Sequence, residues 1–136
     1  MIKKLKENRG EFTINGALIM LLVVFLMVLT ISTIGAANQG MRLHSMASEL
    51  ARYIELRGKI DDAVYTELQR LENASGITTD LQISANYISG TSKIQYGNTF
   101  NVTLSASGHI GLGGIVSISI PLHSTVSGRS EQYWLS

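Results

Sequence analysis

Three histidines, ten carboxylates and no cysteine are the side chains of this 136-residue chain that could do chemistry. Without a thiol there is no disulfide, no lipid-modified cysteine anchor and no thiolate zinc site. His44, His109 and His123 stand singly, with no carboxylate beside them at the spacing that lets a helix or hairpin close on a metal ion. Asp61 and Asp62 are adjacent and could face a cation. They precede an apolar-periodic stretch, however, where a first acid caps a helix and both offset its dipole. Gly111-Leu112-Gly113-Gly114 has the glycines of a phosphate cradle. It lacks the Lys-Ser/Thr and the following helix that complete one, so it reads as a connection between strands. No serine sits in a nucleophile elbow, and no carboxylate pair is flanked by groups that would part its pKa values. The sequons at Asn73 and Asn101 carry meaning only in a glycosylating host. These residues point away from an enzyme, and no catalytic residue, metal or cofactor is expected.

The informative pattern is the distribution of charge. Between Glu11 and Arg42 no residue is formally charged, and residues 17–29 are apolar without a break. A membrane-spanning helix needs about 20 mostly apolar residues, and residues 16–37 supply them. Thr30, Ser32 and Thr33 are the mild polar interruptions, and their hydroxyls can bond back to helix carbonyls at little cost in lipid. A chain this small cannot bury a helix that is apolar on every face, which argues against a soluble core helix. Lys3, Lys4, Lys6 and Arg9 precede the run against one acid, Glu7, so the positive-inside rule keeps the N-terminus cytoplasmic and sends the rest outside. The net charge is only +1, with four of the eleven cations in this leader, so no basic patch for nucleic acid is expected.

The elements beyond the apolar run follow from periodicity. Leu43, Met46, Ala47, Leu50 and Ile54 recur at three- and four-residue steps, predicting a spine helix over 38–57 with one buried stripe. Gly40 allows a bend, Gly58 ends the helix, and Glu55 and Lys59 stand one turn apart in the favourable order. A second helix over 61–74 has Asp61 as its cap, Ala63, Val64, Leu68 and Leu71 as its apolar face, and Gly76 as its stop. From Thr79 the period changes to two. Strands are predicted around Leu81, Ile83 and Ala85, over 93–96, around Phe100, Val102 and Leu104, and around Val116, Ile118 and Ile120. Gly97-Asn98 suits a hairpin turn, residues 108–114 a flexible connection, and Pro121 an edge or bulged strand. The expected fold is α+β: a long membrane and spine helix, a short second helix, and an antiparallel sheet of three to four strands over 79–126. Tyr133 and Trp134, in the tail 127–136, should close the core or lie on its rim.

A short basic leader, a glycine and an unbroken apolar helix together resemble the start of type IV pilin-like proteins. The "RGEFTINGA" stretch from Arg9 to Ala17 is most similar to Tad-type minor pilins and related short pilin-like proteins of Gram-positive bacteria. The tail "SGRSEQYW" resembles the end of the same proteins. The resemblance implies a prepilin peptidase cut between Gly10 and Glu11, dividing the chain into a leader over 1–10, a transmembrane and assembly helix over 11–37 and an extracytoplasmic head over 38–136. The cut leaves seven basic and nine acidic residues. Its implied partners are membrane lipid, the peptidase, other pilin subunits and the filament assembly machinery. One position departs from the pattern. The fifth residue after the cut is usually acidic in pilins and is Asn15 here, able to accept a hydrogen bond from a neighbour's amino terminus but not to neutralise it. Glu11 is the acid that could supply that charge. The expected role is a structural subunit, and a minor one. Two other readings use the same residues: a secreted protein whose signal peptide is cut near Ala37, after Gly35-Ala36, and a single-pass anchored binding domain.

Overall fold

The computed structural model describes the backbone of residues 2–112 and 115–135, and the side chains of residues 10–110 and 115–135. Its first element is one helix, α1 (Ile2–Arg57), that runs from the leader through the apolar segment into the head. It continues without interruption through Gly40. Thr30 and Thr33 donate to the carbonyls of Leu26 and Leu29, each at 2.8 Å, so their polarity is met within the helix. The helix stops at Gly58, whose φ of 64° favours a residue without Cβ and whose N–H donates to the Ile54 carbonyl at 2.7 Å.

The two halves of α1 have different surroundings. In the head, Leu43, Met46, Ala47, Leu50, Ala51 and Ile54 are buried as one stripe. Between Gly10 and Gly35 every residue is exposed except Val28 and Ser32, which are half-buried. Helix α2 (Asp62–Ser75) begins at Asp61, whose carboxylate accepts from the Ala63 N–H, and ends at Gly76 in the left-handed region. Its Val64, Leu68 and Leu71 join the core, whereas Ala63 is only half-buried.

The sheet has three antiparallel strands in the order β1 (Asp80–Ala85), β2 (Thr99–Leu112), β3 (Val116–Arg129). Leu81, Ile83 and Ala85 lie opposite Leu104, Val102 and Phe100, and the last two oppose Val126 and Gly128 on β3. This face packs on the α1 stripe. Gly128 is required there, since a Cβ would come within 2.5 Å of the Phe100 ring. The architecture is therefore α+β, with a single sheet laid on the spine, and Pro121 falls in an edge strand.

Several local expectations differ from what is found. Residues 93–96 form no strand of the sheet. Lys93 and Ile94 make isolated bridges to Lys59 and Tyr87, and Ile94, fully buried, donates to the Gly58 carbonyl. The Gly97 turn accordingly joins no pair of neighbouring strands; it is tied to the tail, with Gly97 donating to Ser130 and Ser130 to Asn98. Residues 108–112 continue β2 instead of forming a connection, because β3 supplies a ladder partner for each, and β3 itself runs on to Arg129. Gly113 and Gly114 lie outside the described residues. Val116 and Ile118 are 50% and 61% exposed, since this end of the hairpin reaches past the core. Lys59 follows the helix end and pairs with Asp61 at 2.8 Å in place of Glu55.

Candidate functional site

The residues singled out by sequence for processing and assembly all lie on the free half of α1. Gly10, Glu11 and Asn15 are helical and exposed, and a Cβ on Gly10 would meet nothing within 4 Å. Glu11 and Asn15 are one turn apart and share a side of the helix. They stand on an exposed surface of the helix. The side chains of Lys3, Lys4, Lys6 and Arg9 lie outside the described residues.

Between and beyond these residues the helix presents apolar side chains to its surroundings. Phe12 is 82% exposed, Met20 75% and Met27 63%, a cost in water that lipid or neighbouring helices would remove. Among the described residues one helix is long and apolar enough to cross a membrane, with a mean hydropathy of 2.8 and none of that window buried. This composition fits a membrane anchor near the N-terminus.

Three contacts fix how the sheet sits on the helix. The Arg129 N–H donates to Glu55 Oε1 at 3.0 Å, and His44 Nδ1 meets Ser124 Oγ at 3.0 Å. Gly108 approaches so closely that a Cβ there would lie 3.2 Å from Gln39 Oε1 and 2.9 Å from Leu122 Cδ1. Strand β3 thus runs parallel to α1, and the β2–β3 hairpin points back toward the apolar half of the helix.

The ionic clusters all belong to the other end of the head. Arg52 bonds Glu55 at 3.0 Å and Glu131 at 2.7 Å, and Arg70 bonds Glu49 and Glu67, each at 2.6 Å. Asp61 takes both Lys59 and Arg57, and those hydrogen bonds, Lys59's first, hold its carboxyl below the usual range. Arg70 does the same to Glu67. The three imidazoles stay apart: His44 on Ser124, His123 on Ser105 at 3.0 Å, and His109 exposed. Among the described residues no group of three or more His, Asp or Glu converges as a metal set would. An open groove of about 540 Å³ between α1 and α2 is lined by Met41, Arg42, Glu49 and Leu71, and its one carboxylate is the partner of Arg70.

The tail is a clamp that periodicity did not reveal. Ser130, 1% exposed, donates to the Ile94 carbonyl at 2.9 Å. Trp134 donates from its indole to the Gly58 carbonyl at 3.1 Å, exchanges hydrogen bonds with Gln95, and lies under Lys93 Nζ at 4.5 Å. Trp134 is half-buried on the rim of the core, while Tyr133 is 65% exposed. The aromatic pair in the tail led to the expectation that it closes the core or lies on its rim, whereas the hydrogen bonds of Ser130 and Trp134 leave no signal in the residue spacing.

Comparison with curated proteins finds no match, and comparison with solved structures finds none. A family model described as "Domain of unknown function (DUF4320)" matches residues 18–135, from inside the apolar run to the end of the clamp. Helix and head are covered together, and the chain belongs to this DUF4320 family.

Proposed function

We propose that the protein is a pilin-like structural subunit. It is held in the membrane with its N-terminus cytoplasmic and its head outside, then processed between Gly10 and Glu11 by a prepilin peptidase. It is then built into a Tad- or type IV-like surface filament or a related secretion or conjugation apparatus. The observation that carries this reading is the continuity of α1, whose free apolar half runs unbroken into the buried spine of a small head. In lipid such a helix satisfies its backbone internally, and in a filament the same side chains bury against neighbouring helices. One surface serves both states, and the work is assembly rather than catalysis.

Coexpressed with its cognate peptidase, the protein should begin at Glu11 by intact mass, and Gly10→Val should block the cut. A start at Asn38 would establish a secreted protein, and a start at Met1 a plain anchored domain. Asn15 makes the subunit a minor one: an acid at that position would pair with an incoming amino terminus, a pairing worth most in a dry helix bundle. Asn15→Glu should therefore leave cleavage intact and raise the protein's share of sheared filaments by quantitative mass spectrometry. If the unaltered chain is already the dominant component, the minor-subunit reading fails.

A further inference from the structure

The geometry points to a second membrane contact: the end of the β2–β3 hairpin rests on the outer lipid surface beside the helix. This inference depends on α1 spanning the bilayer, as in the reading above.

The level of the hairpin along the helix follows from the contact between Gly108 and Gln39. Gly108 pairs with Ile120, and the hairpin continues for four more residues to the pair Leu112 and Val116. At about 3.3 Å per strand residue this adds about 13 Å, or about nine helical residues at 1.5 Å each, reaching the level of Thr30. With Glu11, the last charge before the apolar run, at the inner edge, about 20 residues fill the hydrocarbon core and put its outer edge near Ile31, so that the last residues of the 16–37 run lie in the headgroup layer. The two levels coincide. Val28, Ser32 and Ala36, the residues least exposed in this part of α1, lie at four-residue steps on the side that continues to Leu43, where the sheet packs.

Charge and polarity agree with that placement. No formal charge occurs between Lys93 and Arg129, nor on α1 between Glu11 and Arg42. The segment beside Gln39 at the end of α2, Gly76, Ile77 and Thr78, is uncharged as well. Ile115, Val116 and Ile118 are 88%, 50% and 61% exposed, a cost in water that an acyl boundary removes. The hydrocarbon core itself does not admit an open sheet edge, and β3 is one. The contact is therefore interfacial: the hairpin end stays at the level of the headgroups, with Val116 and Ile118 on the sheet face that they share with Leu122 and Val126, and Ser117 and Ser119 on the opposite face. Being apolar, it needs no acidic lipid.

The chain has no cysteine, so single labels are clean. Full-length Ile118→Cys, Leu22→Cys and Gln69→Cys, each carrying an environment-sensitive maleimide dye, are reconstituted sparsely in phosphatidylcholine vesicles. Doxyl-labelled lipid and iodide, present on both faces, serve as quenchers. The label at residue 118 should be blue-shifted relative to that at 69, quenched by doxyl lipid and protected from iodide. Iodide quenching at 118 equal to that at 69, with 22 in lipid, overturns the inference and leaves the anchor standing. Shielding of 118 from both quenchers, lost when unlabelled lipid dilutes the protein, overturns it in favour of a second copy of the chain. If residue 22 itself reaches iodide, the helix does not span and both readings fall.

Discussion

Leu50 and Leu56 offer the same substitution on the same helix with opposite surroundings. Leu50 is 0% exposed within the core cluster, and Leu56 is 55% exposed. Truncating a fully buried leucine to alanine costs about 2–5 kcal/mol, the transfer energy plus the cavity left behind. At Leu56 no cavity opens, and the loss should be about 0.5–1 kcal/mol. A head of this size has about 5–15 kcal/mol in all, so Leu50→Ala removes a large share of it. With about 4–8 °C per kcal/mol, its Tm should fall by about 8–40 °C. A fragment beginning at Arg42 keeps every residue of the core cluster and omits the apolar half of α1. Trp134, the only tryptophan, reports its unfolding in urea and heat. If Leu50→Ala unfolds with the unaltered fragment, or if Leu56→Ala costs as much, the stripe does not lie under the sheet and the spine argument is wrong.

Gly58→Ala should cost more than the about 1–2 kcal/mol of a left-handed residue, because its Cβ would also overlap Gln132. The tail must then lift, and Trp134 emission should shift red before global unfolding; unchanged emission would show that the clamp does not close there. Asp61 has its pKa lowered in the folded head by Lys59 and Arg57. Its contribution is complete above the unfolded carboxylate value of about 3.9 and is lost as pH falls through the depressed folded value. Asp61→Asn keeps the helix cap while removing the charge, so unfolding curves for this variant should be flatter between pH 5 and pH 2, values set by the usual carboxylate range of about 4. Acid dependence as steep as in the unaltered chain would place it on Glu67 and its Arg70 partner.

The elements legible in the sequence are those whose cause is local. The apolar run is a helix for lipid because about 20 residues without charge have few other stable forms. The Leu43 to Ile54 spacing marks one face of a helix, Asp61 and Gly76 carry their own capping chemistry, and the alternation from Leu81 to Ala85 fits a strand covered on one side. The glycine-containing stretch at residues 108–112 misled for the same reason. Glycine and serine have weak local preference, and whether a strand continues through residues 108–112 depends on hydrogen bonds that β3 alone can offer.

Tertiary structure decided the rest because the partners are distant in sequence. Ile94 leaves the sheet to satisfy the Gly58 carbonyl, and Ser130 can be buried because the Ile94 carbonyl accepts its hydroxyl. Trp134 closes on a helix end 76 residues earlier. The hairpin's reach past the core, and with it the exposure of Val116 and Ile118, follows only from how Gly108 and Gln39 set its register on the helix. Local chemistry determined which segments are helix, strand and membrane-compatible. Long-range hydrogen bonding and close approach between backbones determined where each one ends, and so which apolar residues remain to meet a partner.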